Sequence, residues 1–118
     1  MRRVQVVNRT RGAVLADKAE LANSPWTRLW GLMGRRRLPA GGGLVLQPGG
    51  AIHMFFMRIP LDVIHTNRDL QVTHVLRGIR PWRLGPLFVG RGPTIELPVG
   101  AADATQPGDS IEIRPAEQ

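Results

Sequence analysis

A chain of 118 residues with 42% hydrophobic and 21% charged residues has the size and balance of one globular domain around one core. It contains no cysteine, which excludes disulfides, thiolate zinc clusters and thiol nucleophiles, and its 14 glycines and 10 prolines favour short strands and tight connections over long helices. The net charge of +7 comes wholly from residues 1–40, which hold nine basic and two acidic groups, since residues 41–118 hold seven of each. Fifteen of the sixteen basic residues are arginine, an excess that suits phosphate recognition by planar guanidinium forks and equally follows from arginine-biased codon usage.

The opening MRRVQVVNRTRG has no apolar run behind its basic residues, and the least charged window, residues 38–57, is broken by glycines and prolines. Neither a signal peptide nor a membrane span is expected, and the chain reads as cytoplasmic. Valines at 4, 6 and 7 predict a first strand over residues 3–7, and AVLADKAEL a second over 13–21, with a polar turn between them. Ser24 and Pro25 then suit the cap and first position of a helix, and Trp26, Leu29, Trp30 and Met33 follow at the spacing of one apolar stripe. One short amphipathic helix is predicted near residues 24–33, with Gly34 as its cap and Arg35, Arg36 and Arg37 at the negative end of its dipole.

GGGLVLQPGG predicts a strand of about five residues, and LDVIHT and LQVTHVL two more around Asn67, Arg68 and Asp69. A turn at Asn67 and Arg68 sets Leu61, Val63 and His65 opposite His74, Val72 and Leu70. Residues 77–93, rich in glycine and proline, predict an ordered excursion pinned by Trp82. TIELPVG, a Pro107-Gly108 turn and DSIEIR, with Ile111 and Ile113 on one face, complete the chain. The fold expected is mainly β (α+β): a single domain over 1–118, forming a curled sheet or partly open β-barrel of six or seven strands with the one helix.

Chemistry-bearing residues are few. The only serines are Ser24, suited to capping, and Ser110, beside a turn, so a hydrolase nucleophile next to a base is not indicated. His53, His65, His74 and Asp62 lack a diagnostic metal spacing, and neither GGG nor PGG continues into a phosphate loop. Arginines 2, 3, 9, 11, 35, 36 and 37 could form a nucleic-acid patch through counterion release, or a solvated basic face. In GAIHMFFMRIPLD, residues 50–62, polar His53, Arg58 and Asp62 interrupt apolar Phe55, Phe56 and Met57. Apolar walls with converging polar groups describe a ligand pocket, and equally a hydrogen-bonded knot at one barrel end.

Taken together, WGLMGRRRLPAGGGLVLQP, IHMFFMRIPLDV, LRGIRPWR, IELPVG and PGDSIEI resemble, in order and spacing, the uncharacterised prokaryotic domain-of-unknown-function family 192, over about residues 24–113. The resemblance implies a small β-rich domain with a motif face at Arg28, Gly31, His53, Met57, Asp62, Pro81, Trp82, Glu96 and Gly100, and no particular activity or cofactor. Family members usually carry a cysteine and a threonine where this chain has Gly49 and Met54.

The functional expectation is a binding module for a small polar or anionic ligand or a peptide, without covalent chemistry of its own. The candidate ligand-binding residues are His53, Asp62, Trp82, Arg58, Arg28, Met57 and Glu96, with His53 and Asp62 at one barrel rim beneath the Trp82 excursion. No cofactor or metal is expected, and the chain is read as a monomer away from membranes. The alternatives are nucleic-acid binding through the arginines above, and an acid–base enzyme using His53 with Asp62 or Glu96.

Overall fold

In the chain's computed structural model, residues 2–22, 40–47, 60–80 and 91–116 are described. They form seven strands: β1 Arg2–Asn8, β2 Ala13–Ala22, β3 Gly42–Leu46, β4 Leu61–Thr66, β5 Val72–Ile79, β6 Thr94–Pro98 and β7 Ile111–Pro115. One sheet contains them all, in the order β5-β4-β6-β3-β2-β1-β7. Every neighbouring pair is antiparallel except β2 and β3.

The two outer strands meet at one end. Gln71 bridges Ser110, the Val72 N–H donates to the Asp109 carbonyl and the Ile111 N–H to the Leu70 carbonyl, both at 2.8 Å. The result is a curled half-barrel. Alternation within each strand follows from the period of two: on β1, Val4 and Val6 face inward and are buried, whereas Arg3, Gln5 and Val7 face outward. The inner face carries the core, where Ile64, Ile95, Leu97 and Val45 pack with Ala102 from the connection after β6. The central strands β3 and β4 are buried along their whole length and so on both faces. Their outer face adds Leu44, Leu61 and Val63 to the apolar interior.

The mainly β architecture, the seven strands and the two earliest strand ranges match expectation. The amphipathic helix near 24–33, with its cap and arginine run, lies outside the described residues, among which no helix occurs. Two local expectations need correction. Strand β5 runs on to Ile79, so Arg77, Gly78 and Ile79 belong to the sheet and not to the excursion. The hairpin register is also displaced: Leu61 pairs with Ile79, Val63 with Leu76 and His65 with His74.

The cause of the displacement is a wider turn. Asn67 binds across it, its N–H donating to the Gln71 carbonyl at 3.0 Å and its Oδ1 accepting from the N–H groups of Asp69 and Gln71, both at 2.9 Å. Leu70 takes a left-handed φ of 61°. The first paired residues are therefore Thr66 and Val72, and an Asn side chain mimicking a backbone turn has overridden the two-residue hairpin.

Candidate functional site

Strands β4 and β6 place two acids on opposite faces of the sheet. Asp62 pairs with Leu97 and faces inward, whereas Val63 pairs with Glu96 and both face outward. The two carboxyl groups therefore belong to different environments.

Asp62, 1% exposed, is fully engaged by main chain. Its Oδ1 accepts from the Gly78 N–H at 2.9 Å, and its Oδ2 from the N–H groups of Gly100 at 2.9 Å and Ala102 at 3.2 Å. Gly78 lies in a bulge of β5, where Arg77 and Gly78 stand between the pairs Leu61–Ile79 and Val63–Leu76. Gly78 and Gly100 have φ of 63° and 92°, a conformation glycine adopts without the Cβ penalty of other residues, and it turns both N–H groups onto the carboxylate. Asp62 thus joins β4, the bulge in β5 and the turn after β6. Three donors leave little lone-pair capacity for acid–base chemistry at this carboxylate.

Glu96 has the opposite character. It is 7% exposed, set between Leu44 of β3 and Val63 of β4, and among the described residues no group donates a hydrogen bond to its carboxyl. Burial raises its pKa from 4.5 to about 7, because a carboxylate away from water is costly. On the same face, His65 of β4 pairs with Thr94 of β6 and is completely buried. Its Nδ1 lies 3.1 Å from the Thr94 hydroxyl oxygen, while its Nε2 has no hydrogen-bond partner among the described residues. Burial, and secondarily the charge of His74, lower the His65 pKa to about 4. The His65 and His74 rings meet edge to face, with centroids 6.3 Å apart and planes at 82°.

These placements separate the metal candidates. Asp62 faces inward and His65 outward, and among the described residues no three His, Asp or Glu side chains gather closely enough to hold a metal ion. Of the candidate ligand-binding residues, Asp62 and Glu96 are described and do not share a site. His53, Trp82, Arg58, Arg28 and Met57 lie outside the described residues, as do Arg35, Arg36 and Arg37. The sequence offers His65 as a metal candidate and not as a ligand-site residue. The sequence signal for its burial is its position in the largely apolar LDVIHT, a strand buried on both faces.

The described N-terminal arginines divide. Arg2 and Arg3 are exposed on β1. Arg9 stands 3.5 Å from Glu112 in an exposed ion pair, and the Arg11 Nε donates to Asp109 Oδ2 at 2.7 Å. The same Asp109 oxygen accepts from Asn8 Nδ2 at 2.9 Å and from the Gln106 N–H at 3.1 Å, while Asn8 also donates to the Thr105 hydroxyl at 3.0 Å. The Asn8 hydrogen bond, with help from Arg11 and Gln106 and against the opposing effect of burial, holds the Asp109 pKa below the usual value. This second polar knot was not anticipated, since Asn8 and Asp109 are 101 residues apart and each reads locally as a turn residue.

A profile of the DUF192 family, described as "Uncharacterized ACR", matches residues 6–113. The match begins well before residue 24, as expected of a domain whose first two strands are integral to the sheet. A "UPF0127 protein" from Thermococcus sibiricus is 30% identical over 96% of this chain and 77% of its own length. A crystal structure of a "putative transcription regulator" from Sinorhizobium meliloti superposes with a TM-score of 0.74 at 25% identity, covering 94% of this chain and 92% of that one. A protein of unknown function from Novosphingobium aromaticivorans gives a TM-score of 0.72 at 26% identity, covering 93% and 83%.

Proposed function

This chain belongs to the DUF192 family, and on that premise we propose that it is a binding module for a small polar ligand, seated on the outer face of β4 and β6 at Glu96. One observation carries the reading: Glu96 is a buried carboxyl with no hydrogen-bond donor among the described residues. The other two buried acids among the described residues show what a structural carboxylate looks like in this protein, since Asp62 takes three hydrogen bonds and Asp109 also takes three. Glu96 instead carries a native-state penalty of about 3 kcal/mol for ionisation, the free-energy equivalent of its raised pKa. Beside it, the buried Nε2 of His65 has no hydrogen-bond partner among the described residues. Unpaired polar groups in apolar surroundings suit a ligand that supplies the missing partners.

The reading supposes no covalent step, no cofactor and a monomer. Nucleic-acid binding gains no comparable support, because Arg9 and Arg11 already pair with Glu112 and Asp109. The test is a backbone-amide NMR titration of the labelled chain with small polar molecules. Shifts at residues 44, 63, 65 and 96 that vanish in Glu96→Ala support the site. Shifts confined to residues 2–11 and weakened steeply by salt would replace it with a phosphate-binding reading.

A further inference from the structure

We infer that residues 99–105 form a strap over the inner face of the half-barrel, latched by Arg77, that opens as one unit while the sheet stays folded. The chain leaves β6 at Pro98 and enters β7 at Ile111, and β3, β2 and β1 stand between those two strands. The connection therefore crosses the molecule, and its first part is tied to three strands on the way. On β4, the Asp62 carboxylate accepts from the Gly100 N–H at 2.9 Å and the Ala102 N–H at 3.2 Å. On β5, Arg77 Nη2 donates to the Asp103 carbonyl at 3.0 Å and the Thr105 carbonyl at 2.5 Å. On β1, Asn8 donates to the Thr105 hydroxyl at 3.0 Å.

Every one of these ties uses a side chain of the sheet. Among the described residues, the main-chain bonds of 99–105 are local turns, in which the N–H groups of Ala101, Asp103 and Thr105 donate to the carbonyls of Pro98, Gly100 and Ala102. Gly108 and Asp109 differ, since both join Val72 of β5 main chain to main chain at 2.8 Å. The strap thus ends where ladder bonding resumes. Near its other end, Gly100, with a φ of 92°, is a residue that changes backbone conformation without a Cβ penalty. Packing divides the connection in the same way: of the side chains of 99–105, those of Ala101 and Ala102 alone join the core cluster, and Val99 is 55% exposed. Opening therefore brings little apolar side chain of the strap into water, the mark of a segment that opens below the global unfolding free energy. It uncovers the inner face around Ile64, Ile95 and Leu97. Asp62 and Asn8 are buried, whereas Arg77 is exposed on an edge strand, so the latch is the tie that solvent reaches first.

The chain has no cysteine, so a single introduced thiol reports opening by its reaction with a soluble disulfide reagent. Ala102→Cys places the thiol under the strap, and Ala19→Cys, at an equally buried site in β2, reports unfolding of the sheet. The expected result is that the Ala102→Cys protein is labelled faster, at a rate indifferent to low urea, whereas labelling of the Ala19→Cys protein rises with urea as the chain unfolds. Adding Arg77→Met, which keeps an apolar stem and removes the donors, speeds labelling of the Ala102→Cys protein about tenfold and leaves it indifferent to urea. Labelling of both thiols at one urea-dependent rate overturns the inference, because the strap then opens only with the sheet. Labelling no faster with Arg77→Met also overturns it, because Arg77 is then not the latch. Amide exchange at Gly100 and Ala102 in the unsubstituted chain repeats the test without the added sulfur. Exchange faster than that of the slowest sheet amides and independent of urea is expected, and exchange in step with them overturns the inference.

Discussion

At the scale of single residues, the three buried acids among the described residues are three different solutions to one electrostatic problem. Asp62 is held by main-chain N–H groups, Asp109 by Asn8, Arg11 and a backbone N–H, and Glu96 remains protonated toward neutral pH. Asp62→Asn replaces one acceptor oxygen with an N–H₂ facing N–H donors, so a loss of about 1–3 kcal/mol is expected in urea denaturation. An unchanged midpoint would mean that the three hydrogen bonds contribute no net stability. For Glu96 the native pKa lies above the unfolded value, so the native state holds the proton more tightly and stability declines as pH rises from about 4.5 to about 7. Glu96→Gln is expected to be the more stable protein above pH 7, by about 3 kcal/mol, with the advantage shrinking toward pH 4.5. Both acids were singled out from the sequence, but not their separation, because nothing local shows that β4 and β6 are neighbours with Asp62 opposite Leu97.

At the scale of elements, the β4–β5 hairpin is the clearest case of partial legibility. Its two strands and its turn region are readable from alternation and from Asn67, yet the register is set by one side chain accepting two N–H groups. Asn and Asp compete with the backbone in this way, and sequence spacing alone does not choose between a two-residue and a wider loop. Asn67→Ala removes the oxygen that accepts both N–H groups, and a destabilisation of about 1 kcal/mol is expected. Hydrogen exchange should rise at Asp69 and Gln71 while the β3–β6 ladder keeps its protection. Equal loss of protection in both places would show that this turn is coupled to the whole sheet and does not open locally. The bulge at Gly78 was hidden for a related reason: its glycine resembles loop punctuation, but it stands inside a strand and turns an N–H onto Asp62.

At the scale of the molecule, opposed titrations shape the response to pH. His65 is lowered to about 4, so its contribution is lost as pH falls from 6.5, whereas Glu96 regains stability over nearly the same interval as it is protonated in both states. The parent should show a nearly flat stability between about pH 4.5 and 6.5. In Glu96→Gln the His65 slope should emerge alone, with stability falling toward acid. A steep profile in the parent would contradict the balance. Below the ordinary aspartate range, the unfolded chain takes up a proton that native Asp109 refuses, and the knot at Asn8 and Arg11 then weakens. That knot also bears on the birth of the protein. The β7 strand, synthesised last of the seven, lies against β1, synthesised first, so the growing chain must keep one edge of its opening strand unpaired on the ribosome until residues 109–115 emerge, and the final fold is reached only after translation has passed them.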